Sequence, residues 1–259
     1  MATYLDKILA AHRSAAAADD RPLAALVERA AAMPPVRGFR AALARDASGA
    51  LAVISEIKRR SPSRGDLNVA LDPAALAASY ESAGASCLSV LTDVDYFGGS
   101  VDDLQRARAA TALPALRKDF TVSERDVCDA RLMGADCVLL IAAALAPTEL
   151  VAFHRLARDV GLDVLVEVHD EAELGIAVDA GATLVGVNQR DLVTFQVDHE
   201  RAARMAALMP AGVVRVAESG VRDAADAATL KAAGYHAILV GETLVTAPDP
   251  ASALRALRV

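Results

Sequence analysis

The fold is indicated most clearly by residues 134–188, which run GADCVLLIAAALAPTELVAFHRLARDVGLDVLVEVHDEAELGIAVDAGATLVGVN. Three short aliphatic runs, at Cys137–Ile141, Val164–Val168 and Val185–Asn188, alternate there with longer alanine-rich segments of helical period. Because these runs are apolar on successive residues, they are typical of strands that are buried on both faces. The stretch therefore predicts consecutive βα units of a parallel sheet.

The same alternation extends from residue 50 to the end of the chain and yields eight strand candidates. The other five candidates are Val53–Ile57, Cys87–Leu91, Pro114–Arg117, Val214–Ala217 and Ile238–Val240. Predicted helices between strands include Pro73–Ala83, Val101–Ala110, Ser123–Met133 and Arg222–Ala233.

A glycine repeat supports this count of strands. Gly84, Gly134, Gly181 and Gly234 precede the second, fourth, sixth and eighth candidates at intervals of about 50 residues, so each interval holds two βα units. Eight units without a long linker favour a closed barrel over an open doubly wound sheet. We therefore predict an α/β protein, a single (β/α)8 TIM-barrel domain over residues 1–259.

The first 48 residues carry no strand signal and are predicted to form an N-terminal helical extension packed on the barrel. Two helices are expected there, Tyr4–Ala17 and Pro22–Met33. The sequence leaves open whether these helices cover the bottom of the barrel or fold toward its mouth.

Composition excludes several classes of protein. The chain has 259 residues, 54% of them hydrophobic, and a formal net charge of -7, so it lacks the basic surface that nucleic-acid binding requires. Its longest apolar run is about half of a membrane span, and no secretory signal is recognisable, so we expect no membrane association and a cytoplasmic location. The three cysteines lack C-x-x-C spacing and are interpreted as small buried hydrophobes.

The histidines lack metal-ligand spacing and no nucleotide-binding glycine motif occurs, so neither a metal nor a cofactor is expected. The predicted partner is a small phosphorylated substrate. A monomer and a weak homo-oligomer both fit the sequence.

Polar residues cluster where the predicted strands end, which is where TIM barrels carry their active sites. They are Glu56, Lys58, Lys118, Glu167, Asn188, Arg190, Glu218, Ser219 and Glu242. Unpaired charges beside an apolar barrel cost several kcal/mol, so these groups must pair with one another or with a ligand. The alternative is a structural ring of ion pairs without chemistry.

Further residues predict how a ligand is held. Gly220 and Gly241 follow the last two strands, and glycine there lets backbone amides approach a phosphate, although each could be an ordinary turn residue. Residues 61–65, which begin with Ser61, form a polar loop that could close as a lid or remain a solvated loop. Phe97 and Phe120 could line a pocket for a flat ring or simply pack in the core.

Residues 54–63, ISEIKRRSPS, resemble the signature of the indole-3-glycerol phosphate synthase family after its first strand. Similar segments follow in the family's order: LSVLTD at 88–93 with Tyr96 and Phe97, LRKDF at 116–120, VEVH at 166–169, GVNQRDL at 186–192, ESG at 218–220 and VGE at 240–242. The resemblance covers residues 20–259. One departure is Gln189, where the family usually has Asn.

The resemblance implies closure of an indole ring on 1-(2-carboxyphenylamino)-1-deoxyribulose 5-phosphate, with loss of carbon dioxide and water. It implies that Lys118 is the general acid and a carboxylate contact, and that Glu167 is the general base. It assigns assisting roles to Glu56 and Lys58, orienting roles to Asn188, Arg190, Glu218 and Ser219, and phosphate binding to Ser61, Gly220 and Gly241. Which lysine serves which step stays open.

Two other functions are compatible with a phosphate-binding barrel. A phosphoribosyl isomerase typically has Cys or Asp at the end of the first strand, where this chain has Glu56 and Lys58. A catalytically silent barrel that senses a ligand would be expected to have lost a polar strand-end residue, and none is missing from the sequence.

Overall fold

The computed structural model describes residues 3–47, 49–191 and 193–259, and parallel strands form a closed barrel at its centre. These strands are β1 (Ala52–Ile57), β2 (Cys87–Leu91), β3 (Ala115–Lys118), β4 (Cys137–Ile141), β5 (Asp163–Val168), β6 (Leu184–Asn188), β7 (Val214–Glu218) and β8 (Ala237–Val240). Each pairs with its neighbour in sequence, and β8 closes on β1 with Ala237 opposite Ala52. The predicted (β/α)8 barrel is confirmed, with every strand boundary within one residue of its prediction.

Helices precede the barrel and follow its strands. They are α1 (Tyr4–Ala18), α2 (Leu23–Ala31), α3 (Phe39–Asp46), α4 (Pro73–Ala83), α5 (Val101–Ala109), α6 (Glu124–Leu132), α7 (Pro147–Asp159), α8 (Glu171–Asp179), α9 (Arg201–Ala206), α10 (Ala224–Ala232), α11 (Glu242–Val245) and α12 (Pro250–Leu257). The four glycines of the repeat all have positive φ angles, from 82° to 95°, as expected where a helix ends in a left-handed turn.

The core has two layers, which explains the continuous apolar strands. On β4, Leu139 and Ile141 face the lumen of the barrel, whereas Val138 and Leu140 pack under the surrounding helices. Both layers exclude water, so every position of the strand is apolar. The three cysteines are buried, as predicted.

Of the two predicted N-terminal helices, only the first takes one of the two placements that the sequence left open. Helix α1 lies at the mouth, where His12 Nε2 is 3.0 Å from Asp93 Oδ2, whereas α2 packs on α6 at the side of the barrel. Helix α3 was not predicted, and it closes the bottom of the barrel with Phe39 and Leu43. Its sequence is short and charged and contains only two large apolar residues, so it shows no clear helical periodicity. Residues 1, 2 and 48 of the predicted extension lie outside the described ranges.

Among the helices of the described ranges, none combines the length and the apolar character needed to cross a membrane.

Candidate active site

A cavity of about 350 Å³ opens at the carboxyl ends of the strands. All the residues singled out from the sequence line it: Glu56, Lys58, Ser61, Phe97, Lys118, Phe120, Glu167, Asn188, Arg190, Glu218, Ser219, Gly220, Gly241 and Glu242. The barrel therefore brings together residues that lie far apart in the chain.

Lys118 lines this cavity and lies between two carboxylates. Its Nζ lies 3.0 Å from Glu218 Oε2 and 3.5 Å from Glu167 Oε2. The three side chains come from β3, β5 and β7, and alternate strands of a TIM barrel contribute to the same layer. Burial lowers the pKa of Lys118, but the carboxylates of Glu218, Glu167 and Glu56 outweigh burial, and the pKa is raised. Lys118 is therefore an ammonium ion at neutral pH.

A second lysine–glutamate pair lies at the end of β1. Lys58 Nζ is 2.5 Å from Glu56 Oε1, and the two residues point the same way because they are two positions apart in extended chain. Burial raises the pKa of Glu56, but Lys58 and Lys118 outweigh it and the pKa is lowered. Glu56 is therefore ionised.

The charges of this cluster do not balance. Glu56, Glu167 and Glu218 are three carboxylates facing the two ammonium groups of Lys58 and Lys118, which leaves one negative charge in excess. Burial, with the neighbouring charge of Glu167, raises the pKa of Glu218 to about 7 against the opposing effect of Lys118. A proton therefore sits on this cluster below neutral pH, whereas a structural ring of ion pairs would favour balanced charges.

Asn188 and Gln189 hold neighbouring parts of the site in place. Asn188 Nδ2 donates to Glu167 Oε1 at 2.9 Å, and Asn188 Oδ1 accepts the Arg190 backbone N–H at 3.0 Å. Gln189 Nε2 donates to the Ser219 carbonyl at 2.8 Å. The residue that departs from the family's usual Asn thus supports the loop after β7. Leu192, at the end of the same motif, lies outside the described residues.

Two glycines make room for the buried carboxylates. A Cβ on Gly241 would overlap Glu56 Oε1 and come within 3.1 Å of Lys58 Nζ. A Cβ on Gly186 in β6 would overlap the Glu218 carboxylate. The sequence predicted that Gly241 contacts phosphate or is an ordinary turn residue, and the structure adds a requirement of space for the Glu56–Lys58 pair.

One wall of the cavity is apolar. The ring centroids of Phe97 and Phe120 are 6.3 Å apart, and Leu139, Ile141 and Phe195 line the same cavity. The last three residues were not predicted from the sequence. The signal for Leu139 and Ile141 was their alternate spacing at the end of a strand, and for Phe195 it was an aromatic ring in a chain with 3% aromatic residues.

The loop after β1 is more ordered than its composition suggested. Arg60–Ser61 pairs with Gly65–Asp66 in a short antiparallel hairpin, a pairing that the prediction of a polar loop over residues 61–65 did not include. The hairpin forms because Gly65 adopts a positive φ of 71° at the turn. Arg64 Nε, beyond the hairpin's first strand, lies 2.9 Å from Glu242 Oε1 across the mouth.

Comparison with known proteins identifies the family. The family model described as indole-3-glycerol phosphate synthase matches residues 5–257. The chain is 51% identical over 237 residues to indole-3-glycerol phosphate synthase 2 of Streptomyces coelicolor, covering 92% of this chain and 91% of that protein. It is 47% identical over 249 residues to the indole-3-glycerol phosphate synthase of Chlorobium luteolum, covering 95% of each.

Solved structures show the same architecture at greater distance. A thiamine phosphate pyrophosphorylase from Pyrococcus furiosus matches with a TM-score of 0.60 over 80% of this chain and 93% of that one, at 17% identity. That likeness concerns the fold alone. From the family model and the relatives of high identity and coverage, we conclude that the chain belongs to the indole-3-glycerol phosphate synthase family.

Proposed function

We propose a mechanism by which this chain, as a member of that family, converts 1-(2-carboxyphenylamino)-1-deoxyribulose 5-phosphate into indole-3-glycerol phosphate. The reaction makes the chain a carboxy-lyase of tryptophan biosynthesis, in agreement with the names of its relatives. The observation that carries the proposal is the Lys118 ammonium, held between Glu167 and Glu218 in a cavity with one apolar wall.

Strand order supports one orientation of the substrate. Phe97, Phe120 and Ile141 follow or end β2, β3 and β4, whereas Gly220 and Gly241 follow β7 and β8 on the other side of the mouth. The aromatic ring fits the first side by apolar contact, and the phosphate fits the second, with Ser61 on the adjoining loop. The ketone carbon then lies over the charged centre.

Ring closure requires an acid. As the aromatic carbon attacks the ketone, its oxygen gains negative charge and takes a proton from the Lys118 ammonium. The carboxylate leaves as carbon dioxide, and the electrons of the broken bond restore the aromatic ring. Lys118 also pairs with that carboxylate before it leaves.

Dehydration requires an acid and a base together. The Glu167 carboxylate removes the ring proton while an ammonium protonates the departing hydroxyl, and Lys58, paired with Glu56, is a second acid within the cavity. Asn188 orients Glu167 by its 2.9 Å hydrogen bond, and Ser219 and Arg190 orient the sugar. Carbon dioxide and water are the only other products. The reaction involves no net oxidation or reduction, so it requires no redox cofactor.

The phosphate position gives a first prediction. We expect Gly220→Ala to raise KM about tenfold while kcat changes little, because the phosphate is remote from the reacting bonds and a weakened charged contact costs about 1.5 kcal/mol. A Cβ at Gly220 would come within 2.5 Å of Val197 Cγ1 and shift the loop. Steady-state kinetics with 1-(2-carboxyphenylamino)-1-deoxyribulose 5-phosphate, called the anilino-sugar below, measures both constants.

Gly241→Ala is the matched comparison for this variant. Its Cβ would displace Glu56, so we expect kcat to fall along with any change in KM. An unchanged KM in Gly220→Ala, or sulfate soaked into crystals and bound away from both glycines, would contradict the phosphate assignment.

The hairpin after β1 gives a second prediction. The Arg64 side chain is largely exposed and Glu242 is about one-third exposed, so their ion pair contributes less than about 1 kcal/mol and breaks readily. We expect kcat to fall as solvent viscosity rises, because a lid over the mouth must open to release the product. Arg64→Ala should reduce that dependence. A kcat that viscosity leaves unchanged in the wild type would remove the case for a gating lid.

We further propose that the whole chain acts as one barrel domain with residues 1–48 as its extension, that it functions in the cytoplasm without metal or cofactor, and that it binds no nucleic acid. A monomer and a weak homo-oligomer remain the two expectations for its assembly, and sedimentation of the purified chain distinguishes them.

A further inference from the structure

His169 lies just beyond β5, between two carboxylates. Its Nδ1 is 3.1 Å from Glu173 Oε2, and its Nε2 is 3.5 Å from Glu167 Oε1. The side chain is 12% exposed. Among the described residues, its buried Nε2 has no hydrogen-bond partner, although it faces the catalytic carboxylate.

The first turn of α8 holds the imidazole of His169 on its Nδ1 side. Asp170 caps this helix by accepting the Glu173 backbone N–H at 2.8 Å, which places Glu173 in the first turn. From there Glu173 Oε2 accepts the backbone N–H of His169 at 2.7 Å as well as facing its ring. The imidazole is therefore held in one orientation, with Nε2 directed at Glu167.

This arrangement favours the charged form of the imidazole. A neutral ring would direct a lone pair at one of the two carboxylates, whereas an imidazolium offers an N–H to each. Burial lowers the pKa of His169, but Glu173 on α8, Glu167 on β5 and Glu218 on β7 outweigh burial, and the pKa is raised.

Lys118 alone does not decide which of its two carboxylates carries the proton of the cluster. Its Nζ contacts both, and the contact with Glu218 is the shorter of the two. Two other groups contact Glu167 and not Glu218: Asn188 donates a neutral hydrogen bond to Glu167 Oε1 at 2.9 Å, and His169 adds the charged contact, 3.5 Å from the same oxygen. Burial raises the pKa of Glu167, but Lys118 and His169 outweigh it and the pKa is lowered, whereas the pKa of Glu218 is raised to about 7.

We propose that His169 is a positioning residue that keeps Glu167 ionised as the base and leaves the shared proton of the cluster on Glu218. The proposal rests on the proposed function of Glu167. His169 does not touch the substrate in this account, because it acts through the Glu167 carboxylate.

The test is the pH dependence of kcat in His169→Gln. The Gln amide nitrogen can reach the position of Nε2 but carries no charge, so Glu167 loses an attraction that typically lowers a carboxyl pKa by one unit or more. We expect the acidic limb of the profile to move up by about one pH unit, which is about a tenfold loss of kcat on that limb. At alkaline pH, where His169 of the wild type is neutral, the two profiles should converge.

Glu173→Gln provides a second variant that does not alter the imidazole. The substitution removes the negative charge beside His169 Nδ1, so the imidazolium is less favoured. We therefore expect the acidic limb to move in the same direction as in His169→Gln, but by less. His154→Gln is the matched control, because the side chain of this buried histidine on α7 makes no hydrogen bond or ion pair to any described residue. It should lower the melting temperature without moving the limb.

Histidine NMR makes the outcome independent of turnover. The pKa of the His169 ring should be raised in the wild type by the facing carboxylates, and it should be lower in Glu167→Gln than in the wild type. Superimposable pH profiles of His169→Gln and the wild type, or a His169 ring that is neutral at neutral pH, overturn the proposal. A wild type that turns over no anilino-sugar contradicts the proposed function instead, and the NMR titration still decides the state of His169.

Discussion

Lys118→Met is expected to lower kcat by about 100-fold to 10000-fold, roughly 3 to 5 kcal/mol of activation free energy. The variant keeps similar bulk but lacks the ammonium that protonates the ketone oxygen and pairs with the substrate carboxylate. Steady-state kinetics with the anilino-sugar measures the loss. Lys7→Met, at an exposed lysine on α1, is the control and should keep wild-type kcat.

The stability of Lys118→Met should depend on pH in a defined direction. Without the lysine, the buried carboxyls of Glu167 and Glu218 lose the ammonium that they share, so burial raises their pKa values in the folded chain above those in the unfolded chain. Such groups cost stability as pH rises above their unfolded values, so the variant should melt near the wild type in mild acid and progressively lower above neutral pH. A variant that keeps more than about a tenth of wild-type kcat would show that Lys118 is a structural ion-pair partner.

Glu167→Gln should be similarly damaging, with a loss of about 100-fold to 10000-fold in kcat. The amide keeps the shape of the side chain and can still accept the hydrogen bond from Asn188, but it cannot take a proton. Stability should change little, because Lys118 keeps its 3.0 Å pair with Glu218 and one excess negative charge is removed.

Parallel measurements of kcat and melting temperature decide the role of Glu167. Glu171→Gln, at an exposed position on α8, serves as the control for loss of a carboxylate. A marked fall in melting temperature with near-normal kcat in the folded fraction would assign Glu167 to structure rather than to catalysis.

Most of the barrel could be predicted because its signals are local. Continuous apolar runs mark strands such as β4, and polar residues such as Lys118 mark the point where a strand reaches the mouth. Helix α3 could not be predicted in this way, since Phe39 and Leu43 become core residues only when the barrel bottom is formed. The Arg60–Asp66 hairpin depends similarly on pairing that composition does not reveal.

The membership of the site was predictable, but its pairing was not. Strand ends converge in any TIM barrel, so Glu56, Lys118 and Glu167 could be placed at one mouth. Their partners depend on distances between strands, so the position of Lys118 between Glu167 and Glu218 emerged only from the structure. The depth of the site was likewise not visible in the sequence: the Glu167 and Glu218 side chains are only 3% and 1% exposed.

The most direct test of the account is turnover of 1-(2-carboxyphenylamino)-1-deoxyribulose 5-phosphate by the purified chain, followed by the fluorescence of the indole product. The account predicts a fluorescence increase with release of one carbon dioxide per product molecule, without added metal or cofactor. It also predicts no isomerisation of a phosphoribosyl substrate in the same preparation. A folded chain that produces no indole, or that acts only as an isomerase, would contradict the central claim.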